Sequence, residues 1–323
     1  MRFTYATALV DFDIIGKMRA PLEIKAGVFL TNNSEHLTRF VSPSYLLYIG
    51  HLEAAPLTNG SPILFKIDEV QSHEDSHVEV INFLREVQGF LTATWLKTDN
   101  NVNCELAFAF GQDLEYLHSN SLALQYSHHT GKRQRLQVLH EELLELAEFH
   151  RQFFAGIKEQ DRPAHTAFRR AQSRIDRGIL FLQQARAADD LGQKIANYCS
   201  FFEAVLSTSS AELSHQLSER VAFFTFDSPE QRLRTFREVK KAYSVRSKIV
   251  HGDALSDSAI SGLVDVAGVC DGISRAMMLR VLQHSDLLDL LKRGSNDSLD
   301  VLMLELIFGL KQTSYAGNGG GAA

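Results

Sequence analysis

The chain has 323 residues, of which 45% are hydrophobic and 22% are charged, a composition typical of globular domains with a buried core. The formal net charge is −6, and it is uneven: residues 1–150 carry 11 lysines and arginines against 19 acidic residues, whereas residues 151–323 carry 22 against 20. This balance excludes a generic polyanion binder, so any nucleic-acid site must be a local basic feature of the second half.

Cysteine usage and hydropathy bound the cellular context. Cys104, Cys199 and Cys270 are far apart and odd in number, which predicts neither a disulfide framework nor a zinc site. We therefore expect a reducing, cytoplasmic location. The first residues lead into no long apolar run, and no segment approaches the roughly 18 apolar residues of a membrane span. Neither a signal peptide nor membrane association is expected.

Residues 1–117 are predicted to be mostly β-strands, in short apolar runs separated by turn signals such as residues 31–34 and 58–62. The residues that mark these runs are Val28, Leu30, Leu47, Tyr48, Ile49, Leu64 and Ile67. Residues 105–110 predict another strand, which ends at Gly111. One helix interrupts the pattern from about 77 to 95, where apolar side chains recur at helical spacing: Val80, Phe83, Leu84, Val87 and Leu91.

From about residue 134 onward the pattern is almost entirely helical. The first helix runs to about residue 157, and it could belong to either domain or connect them. Further helices are predicted at about 164–187, 190–207, 210–225, 229–250, 256–283 and 298–310. Ser209 with Glu212 three residues later forms a capping-box pattern, and Ser228 before Pro229 predicts a capped helix start.

These elements predict an α+β protein with four parts. A β-rich domain at 1–133 would have a sensory or regulatory role, and a connecting helix would span 134–163. An all-α bundle would follow at 164–312. The glycine-rich tail at 313–323 is expected to be flexible.

The helix predicted at 229–250 carries the strongest local charge. Residues 230–251 hold seven lysines and arginines against two glutamates. One face is predicted to pack into the bundle through Leu233, Phe236, Val239 and Tyr243. Arg237, Lys241 and Lys248 are spaced to lie on one side of the helix, where they could bind an RNA backbone through its phosphates.

Arg246 and His251 end this helix, and the pair suits metal-independent RNA cleavage. A histidine can deprotonate the 2′-hydroxyl or protonate the 5′-oxygen near neutral pH. A planar guanidinium can hold two oxygens of the phosphorane-like transition state. Five residues turn an ideal helix about 140° past a full circle, but a break at Gly252 would let the imidazole turn back. The alternative is that Arg246 is a solvated or paired surface residue and His251 a helix-end cap.

The residues around this pair resemble a known family. Residues 243–252, Tyr-Ser-Val-Arg-Ser-Lys-Ile-Val-His-Gly, resemble the hallmark of the Apea-like branch of the HEPN superfamily, which has an aromatic residue, Arg-Ser, a few mostly apolar residues and His-Gly. Residues 198–206 resemble that family's helix with an acidic residue before small and apolar ones. Residues 213–222 resemble its middle helix. The resemblance covers about residues 165–285.

The resemblance implies a bundle of four or five helices that pairs as a homodimer, with a composite active site at the dimer cleft. It implies a metal-independent RNA endonuclease, often a toxin or an abortive-infection effector against phage. By this resemblance Arg246 would bind phosphate and His251 would be the acid and base. Ser247 would be the polar residue after the arginine, and Glu203 would match the acidic position. Glu203 could orient Arg246 or His251, or form an ordinary buried salt bridge.

The expected RNA-binding residues are Lys240, Lys241, Lys248, Arg237 and Tyr243. The expected partners are RNA, with transfer RNA as one candidate, a second copy of the chain, and a phage-derived trigger at the first domain. No metal and no cofactor are expected. The alternative function is a catalytically inactive HEPN dimer that binds a nucleotide, RNA or protein.

Two weaker patterns remain. Arg170, Arg174 and Arg177 recur at helical spacing and could extend an RNA groove, or could form a solvated face near Asp176. The histidines at 73, 77, 128 and 129 have no Cys or Asp partner at zinc-site spacing, so no metal site is predicted there.

Overall fold

The computed structural model describes residues 1–112, 116–121, 124–154, 173–209 and 213–311. The chain divides into two compact units, Met1–Asp161 and Arg162–Ala323. The first contains a β-sheet with helices and the second is helical, which confirms the predicted α+β class. The predicted capping box at Ser209 reaches residues outside the described ranges, as do the predicted start of the helix at 164 and the tail.

The first unit is built on a six-stranded antiparallel sheet with the strand order β3-β4-β5-β1-β6-β7. A separate parallel pair joins β2 to β8. The strands are β1 (Arg2–Val10), β2 (Phe12–Ile14), β3 (Leu22–Lys25), β4 (Val28–Thr31), β5 (Ile63–Glu69), β6 (Asn103–Gly111), β7 (Leu117–Asn120) and β8 (Leu136–Val138). The strands predicted around Val28, Leu64 and residues 105–110 are confirmed.

Five helices accompany these strands in the described part of the unit: α1 (Glu35–Thr38), α2 (Pro43–Tyr48), α3 (His51–Thr58), α4 (His73–Lys97) and α5 (His140–Phe154). The long helix α4 confirms the helix predicted at 77–95, and all five side chains that predicted it are fully buried. It begins four residues earlier because Ser72 and Asp75 cap each other's backbone amides, which satisfies donors that the first turn leaves open.

The strand predicted at Leu47, Tyr48 and Ile49 is wrong, because these residues lie in and just after α2. Ser42 caps this helix by accepting a hydrogen bond from the Ser44 amide, and Pro43 occupies its first position. Leu47 is 84% exposed and Tyr48 76%. The apolar run that suggested a buried strand is therefore a surface turn of helix.

The helix predicted from about residue 134 begins only at His140, because residues 136–138 pair with β2 as strand β8. This helix, α5, lies within the first unit. The His150 ring contacts the Ile24 carbonyl at 3.2 Å, and Arg151 donates to the Glu23 carbonyl at 2.7 Å. Both carbonyls belong to β3, and the helix also contacts α4. The sequence allowed this helix to belong to either domain or to connect them, and the structure shows that it belongs to the first unit.

The second unit contains eight helices in its described part: α6 (Arg174–Ala187), α7 (Leu191–Leu206), α8 (Leu213–Thr225), α9 (Pro229–His251), α10 (Asp257–Ser261), α11 (Leu263–Gln283), α12 (Ser285–Arg293) and α13 (Asn296–Ile307). The single helix predicted at 256–283 is divided at Gly262, and α12 was not predicted. Helix α7 is the centre of the bundle, since it contacts α6, α8, α9 and α11 and buries the aromatic rings of Tyr198, Phe201 and Phe202.

At the ends of three helices of this bundle, a buried cationic side chain donates a hydrogen bond to a backbone carbonyl. Lys194 is fully buried and donates to the Ala185 carbonyl at 2.8 Å, at the end of α6. Arg220 donates to the Leu206 carbonyl at 2.9 Å, and Arg280 to the Thr225 carbonyl at 2.8 Å. The last carbonyls of a helix lack partners within it and carry partial negative charge, so these cations stabilise the helix ends and fix how the helices meet.

Candidate active site

Helix α9 begins where its sequence predicts. The Ser228 hydroxyl accepts a hydrogen bond from the Gln231 amide, and Pro229 occupies the first helical position. Proline costs nothing there because the amide it lacks would have no partner in the helix. The capped start confirms the predicted signal.

The other end of α9 is set by Gly252, which adopts a left-handed conformation with φ 77°. The Asp253 amide donates to the Lys248 carbonyl at 2.8 Å and closes the last turn. The helix therefore includes His251 as its final residue, and the break comes only after it. Within one chain the helix does not turn the imidazole back towards Arg246.

The buried face of α9 differs from the predicted one. Of the four side chains predicted to pack, only Val239 is fully buried, and Leu233 is 52% exposed. The buried side chains are Thr235, Val239, Ala242 and Val245. Helices α7 and α8 contact this face, because its small side chains permit a closer approach than a face with Leu233 and Phe236 would allow.

Arg246 lies against helix α7, where it meets Glu203. Its Nη2 atom is 3.4 Å from Glu203 Oε2, and the two side chains are 24% and 23% exposed. The guanidinium also lies over the Tyr243 ring, with Cζ 5.3 Å from the ring centroid. Burial raises the pKa of Tyr243, and the nearby Glu203 carboxylate raises it further. Glu203 thus contacts two of the predicted site residues.

Two buried atoms in this cluster have no hydrogen-bond partner among the described residues: Nε of Arg246 and Oε1 of Glu203. Buried polar atoms in folded proteins nearly always have a partner, so an unpartnered pair calls for water or a ligand. An oxyanion is the natural partner of a guanidinium N–H. The Arg246 guanidinium is therefore held by one carboxylate contact and retains a buried donor.

His251 is exposed and makes no hydrogen bond or ion pair with the part of the chain that the structure describes. The continuous helix directs its side chain about 140° away from that of Arg246. Ser247 and Lys248, between them, are half-buried. A single chain does not bring the predicted catalytic pair together.

The predicted basic stripe lies on the solvent side of α9. Arg237, Lys240 and Lys241 are exposed and Lys248 is half-buried, and none of the four forms an ion pair with the described residues. By helical spacing His251 is about 60° from Lys248, so it lies on the stripe's side of the helix. The stripe is thus a row of uncompensated positive charge that ends at a histidine.

Of the weaker arginine pattern, Arg174 has a structural partner. It donates to the Ser207 carbonyl at 2.7 Å, and its other amino group bonds to the Asn296 side chain. These contacts attach the start of α6 to the end of α7 and to α13, so the Arg174 side chain is committed within the unit. Arg170 lies outside the described residues.

A second cluster, in the first unit, was missed by the sequence analysis. Asp99 meets His128 and His129, and its Oδ2 atom is 3.0 Å from Nε2 of His128 and 2.6 Å from Nδ1 of His129. Asp99 is not at zinc-site spacing from these histidines in the sequence, and the fold brings it to them from about 30 positions away. The His-His pair beside a turn glycine, Gly131, was the only local signal.

Comparison of the chain with protein-family models, curated proteins and solved structures found no match. The resemblance to the HEPN superfamily therefore depends on the residues quoted above. Among the described residues, no helix combines the length and the apolar character needed to cross a lipid bilayer.

Proposed function

We propose that the chain is a HEPN-type, metal-independent RNA endonuclease that acts in the cytoplasm as a toxin or anti-phage effector. The observation that carries the proposal is Arg246, whose half-buried guanidinium rests on Glu203 and Tyr243 and keeps an unpartnered buried donor. In this proposal Arg246 binds the scissile phosphate and stabilises the charge of the transition state. His251 transfers the protons of the 2′-hydroxyl attack and of the 5′-oxygen departure.

The proposed active site is composite and forms between two copies of the chain. Because α9 directs Arg246 and His251 to different sides, an intact pair requires Arg246 of one copy and His251 of another. A homodimer with two-fold symmetry would create two such sites. Glu203 acts in this scheme as a positioning residue for Arg246, and Ser247 as a polar neighbour of the phosphate.

The basic stripe would hold the RNA backbone beside this site. Its four cations have no acidic partner among the described residues: Arg237, Lys240, Lys241 and Lys248. Their positive charges can therefore bind the phosphates of an RNA backbone. Tyr243 would contribute its ring beside the guanidinium. We propose RNA, with transfer RNA as one candidate, as the substrate. A phage-derived trigger is proposed to act on the acidic first unit.

Cleavage without metal is the direct test. Purified full-length protein is incubated with total RNA in excess EDTA, and fragments with 2′,3′-cyclic phosphate ends are expected. Arg246→Ala and His251→Ala are each expected to reduce the rate by about 100-fold or more, the contribution typical of a general acid–base or an oxyanion contact.

Matched controls are Arg293→Ala, at an exposed arginine of α12, and His215→Ala, at an exposed histidine of α8. Both should cleave at the wild-type rate. Cleavage that requires a divalent metal, or that proceeds equally in Arg246→Ala, contradicts the proposal.

Mixing the two inactive variants tests the composite site. Each Arg246→Ala/His251→Ala heterodimer would contain one intact pair, so random subunit exchange should restore about a quarter of wild-type activity. A site contained within one chain would show no recovery, because every copy would lack one of the two groups.

The second candidate is a non-catalytic interaction module. It is favoured by the Arg246–Glu203 ion pair, which can equally be a structural contact between α9 and α7. This function predicts that His251→Ala leaves the biological phenotype unchanged, whereas Lys240→Glu with Lys241→Glu removes it.

A further inference from the structure

Three metal-ligand side chains of the first unit meet at one point, although they come from separate segments. Asp99 lies just after α4, and His128 and His129 lie between β7 and β8. Their donor atoms, Asp99 Oδ2, His128 Nε2 and His129 Nδ1, all lie within 4.8 Å of one another. One small ion can therefore contact all three.

The backbone around this cluster is fixed by buried amides. The Asn103 side chain donates to the Tyr126 carbonyl at 3.0 Å and accepts from the Tyr126 amide at 2.8 Å. The Asn101 side chain accepts from the Gln134 amide at 2.8 Å. These bonds attach the loop on both sides of the histidines to the segment that carries Asp99. The ligand positions are therefore pre-organised, as metal sites require.

His128 also has a hydroxyl neighbour that would serve as its outer partner if the ring bound a metal. A histidine that coordinates through Nε2 carries its proton on Nδ1 and donates it to a nearby oxygen, which fixes the ring. Nδ1 of His128 is 3.1 Å from the hydroxyl oxygen of Thr130, and it also accepts a hydrogen bond from the Thr130 amide at 3.4 Å. Coordination through Nε2 would place the ring proton on Nδ1, so donation to the hydroxyl would replace the contact with the amide. The turn is closed by the Gly131 amide, which donates to the His128 carbonyl at 2.8 Å.

We propose that Asp99, His128 and His129 form a zinc site. Two imidazoles and one carboxylate are the ligands of open zinc sites, where water takes the fourth position. The three side chains are 11%, 14% and 28% exposed, so solvent can supply that ligand. The donors of a tetrahedral zinc ion are about 3.3 Å apart, given bonds of about 2.0–2.1 Å. Zinc binding would therefore lengthen the distances from Asp99 Oδ2 to the two imidazole nitrogens by less than about 1 Å.

A metal-free role for the same residues makes a different prediction. Asp99 also accepts a hydrogen bond from the His129 amide at 3.1 Å, so it could serve only to hold the loop. In that case zinc would neither bind with defined stoichiometry nor stabilise the protein. The zinc proposal is independent of the proposed nuclease, whose cleavage is tested in EDTA.

The test uses the full chain, produced without a polyhistidine tag and stripped with a chelator. Calorimetric titration with zinc chloride is expected to give one ion per chain, and Co²⁺ should give the visible absorption of a four-coordinate site. Zinc should raise the midpoint of thermal unfolding, since it binds only the folded state. His128→Gln and His129→Gln should abolish all three effects.

Two further variants keep the test decisive. Thr130→Val retains all three ligands and should weaken zinc binding by about 10–100-fold, because it removes only the outer partner of His128. His51→Gln, at an exposed histidine of α3, should bind zinc as the wild type does. No stoichiometric zinc, or equal binding by wild type and both His→Gln variants, would overturn the proposal.

Discussion

Glu203 connects two side chains of α9 to the centre of the bundle, and the ionisation of Tyr243 reports this contact. The carboxylate lies close enough to the phenol to raise its pKa, and it pairs with Arg246. Of the effects that raise the pKa of Tyr243, burial is the largest and the Glu203 charge comes second. A variant that removes the charge but keeps the shape therefore isolates the second effect.

We predict that the phenolate absorption of Tyr243, measured as wild type minus Tyr243→Phe, has its midpoint above the usual value of 10.0. Glu203→Gln should move the midpoint down towards 10.0. Because the folded state favours the neutral phenol, the stability that Tyr243 contributes is complete below pH 10.0 and is lost as the pH rises through its folded pKa. An unchanged midpoint in Glu203→Gln would mean that the carboxylate does not contact the phenol.

At the scale of elements, α6 and α7 approach each other closely at Gly178. A methyl group added there would lie 2.6 Å from Cγ2 of Val205 and 3.2 Å from the Phe201 ring. Both are buried side chains of α7 with little freedom to move. The glycine therefore sets the spacing of the two helices.

We expect Gly178→Ala to destabilise the second unit by about 1–3 kcal/mol, the usual cost of overpacking, measured by urea denaturation. Gly272→Ala is the matched control, because the added methyl group meets nothing within 4 Å and Gly272 also lies inside a helix. That substitution should stabilise by about 0.5–1 kcal/mol. Equal effects of the two substitutions would refute the close approach at Gly178.

The sequence predicted most elements because local signals determine them. Ser228 and Pro229 define the start of α9, and the apolar spacing in α4 identified its buried face. Prediction was wrong where contacts between elements determine which face of a helix is buried. Leu233 has helical spacing but is exposed, because α7 and α8 contact a face of smaller side chains. Leu47 is apolar yet lies on a surface helix.

The candidate site could be predicted only in part for the same reason. The order of residues 243–252 identified Arg246, and the packing of α9 on α7 places Glu203 beside it. No local pattern connects Asp99 to His128, because their contact depends on the side chains of Asn101 and Asn103, which hold the distant loop in place. Gly252 marks the end of α9, but the expectation that this break turns the imidazole back towards Arg246 is wrong, because the break comes after His251.

At the scale of the molecule, the three thiols divide between the two units and are all buried. Cys104 lies in the first unit, and Cys199 and Cys270 lie in the second. Burial raises the pKa of Cys104 to about 11 and that of Cys199 to about 12, and it raises the pKa of Cys270 well above its usual value. A buried, protonated thiol reacts only when its surroundings open.

We predict that no thiol reacts with an aromatic disulfide reagent in the native protein on the timescale of a free cysteine. Gly178→Ala should speed the labelling of Cys199 and Cys270, because it lowers the opening free energy of their unit. The labelling of Cys104 should not change. Mass spectrometry of the labelled peptides separates the three sites, and equal acceleration at Cys104 would show that the two units open together.

The parallel pair of β2 and β8 has a practical consequence for dissecting the chain. Residues 136–138 return to residues 12–14, and α5 then lies against β3. A fragment cut at residue 133 would lose a strand and a helix, and it would bare apolar surface that favours aggregation. A separately expressed first unit should therefore extend at least through Phe154, so that it retains every described segment that covers its sheet.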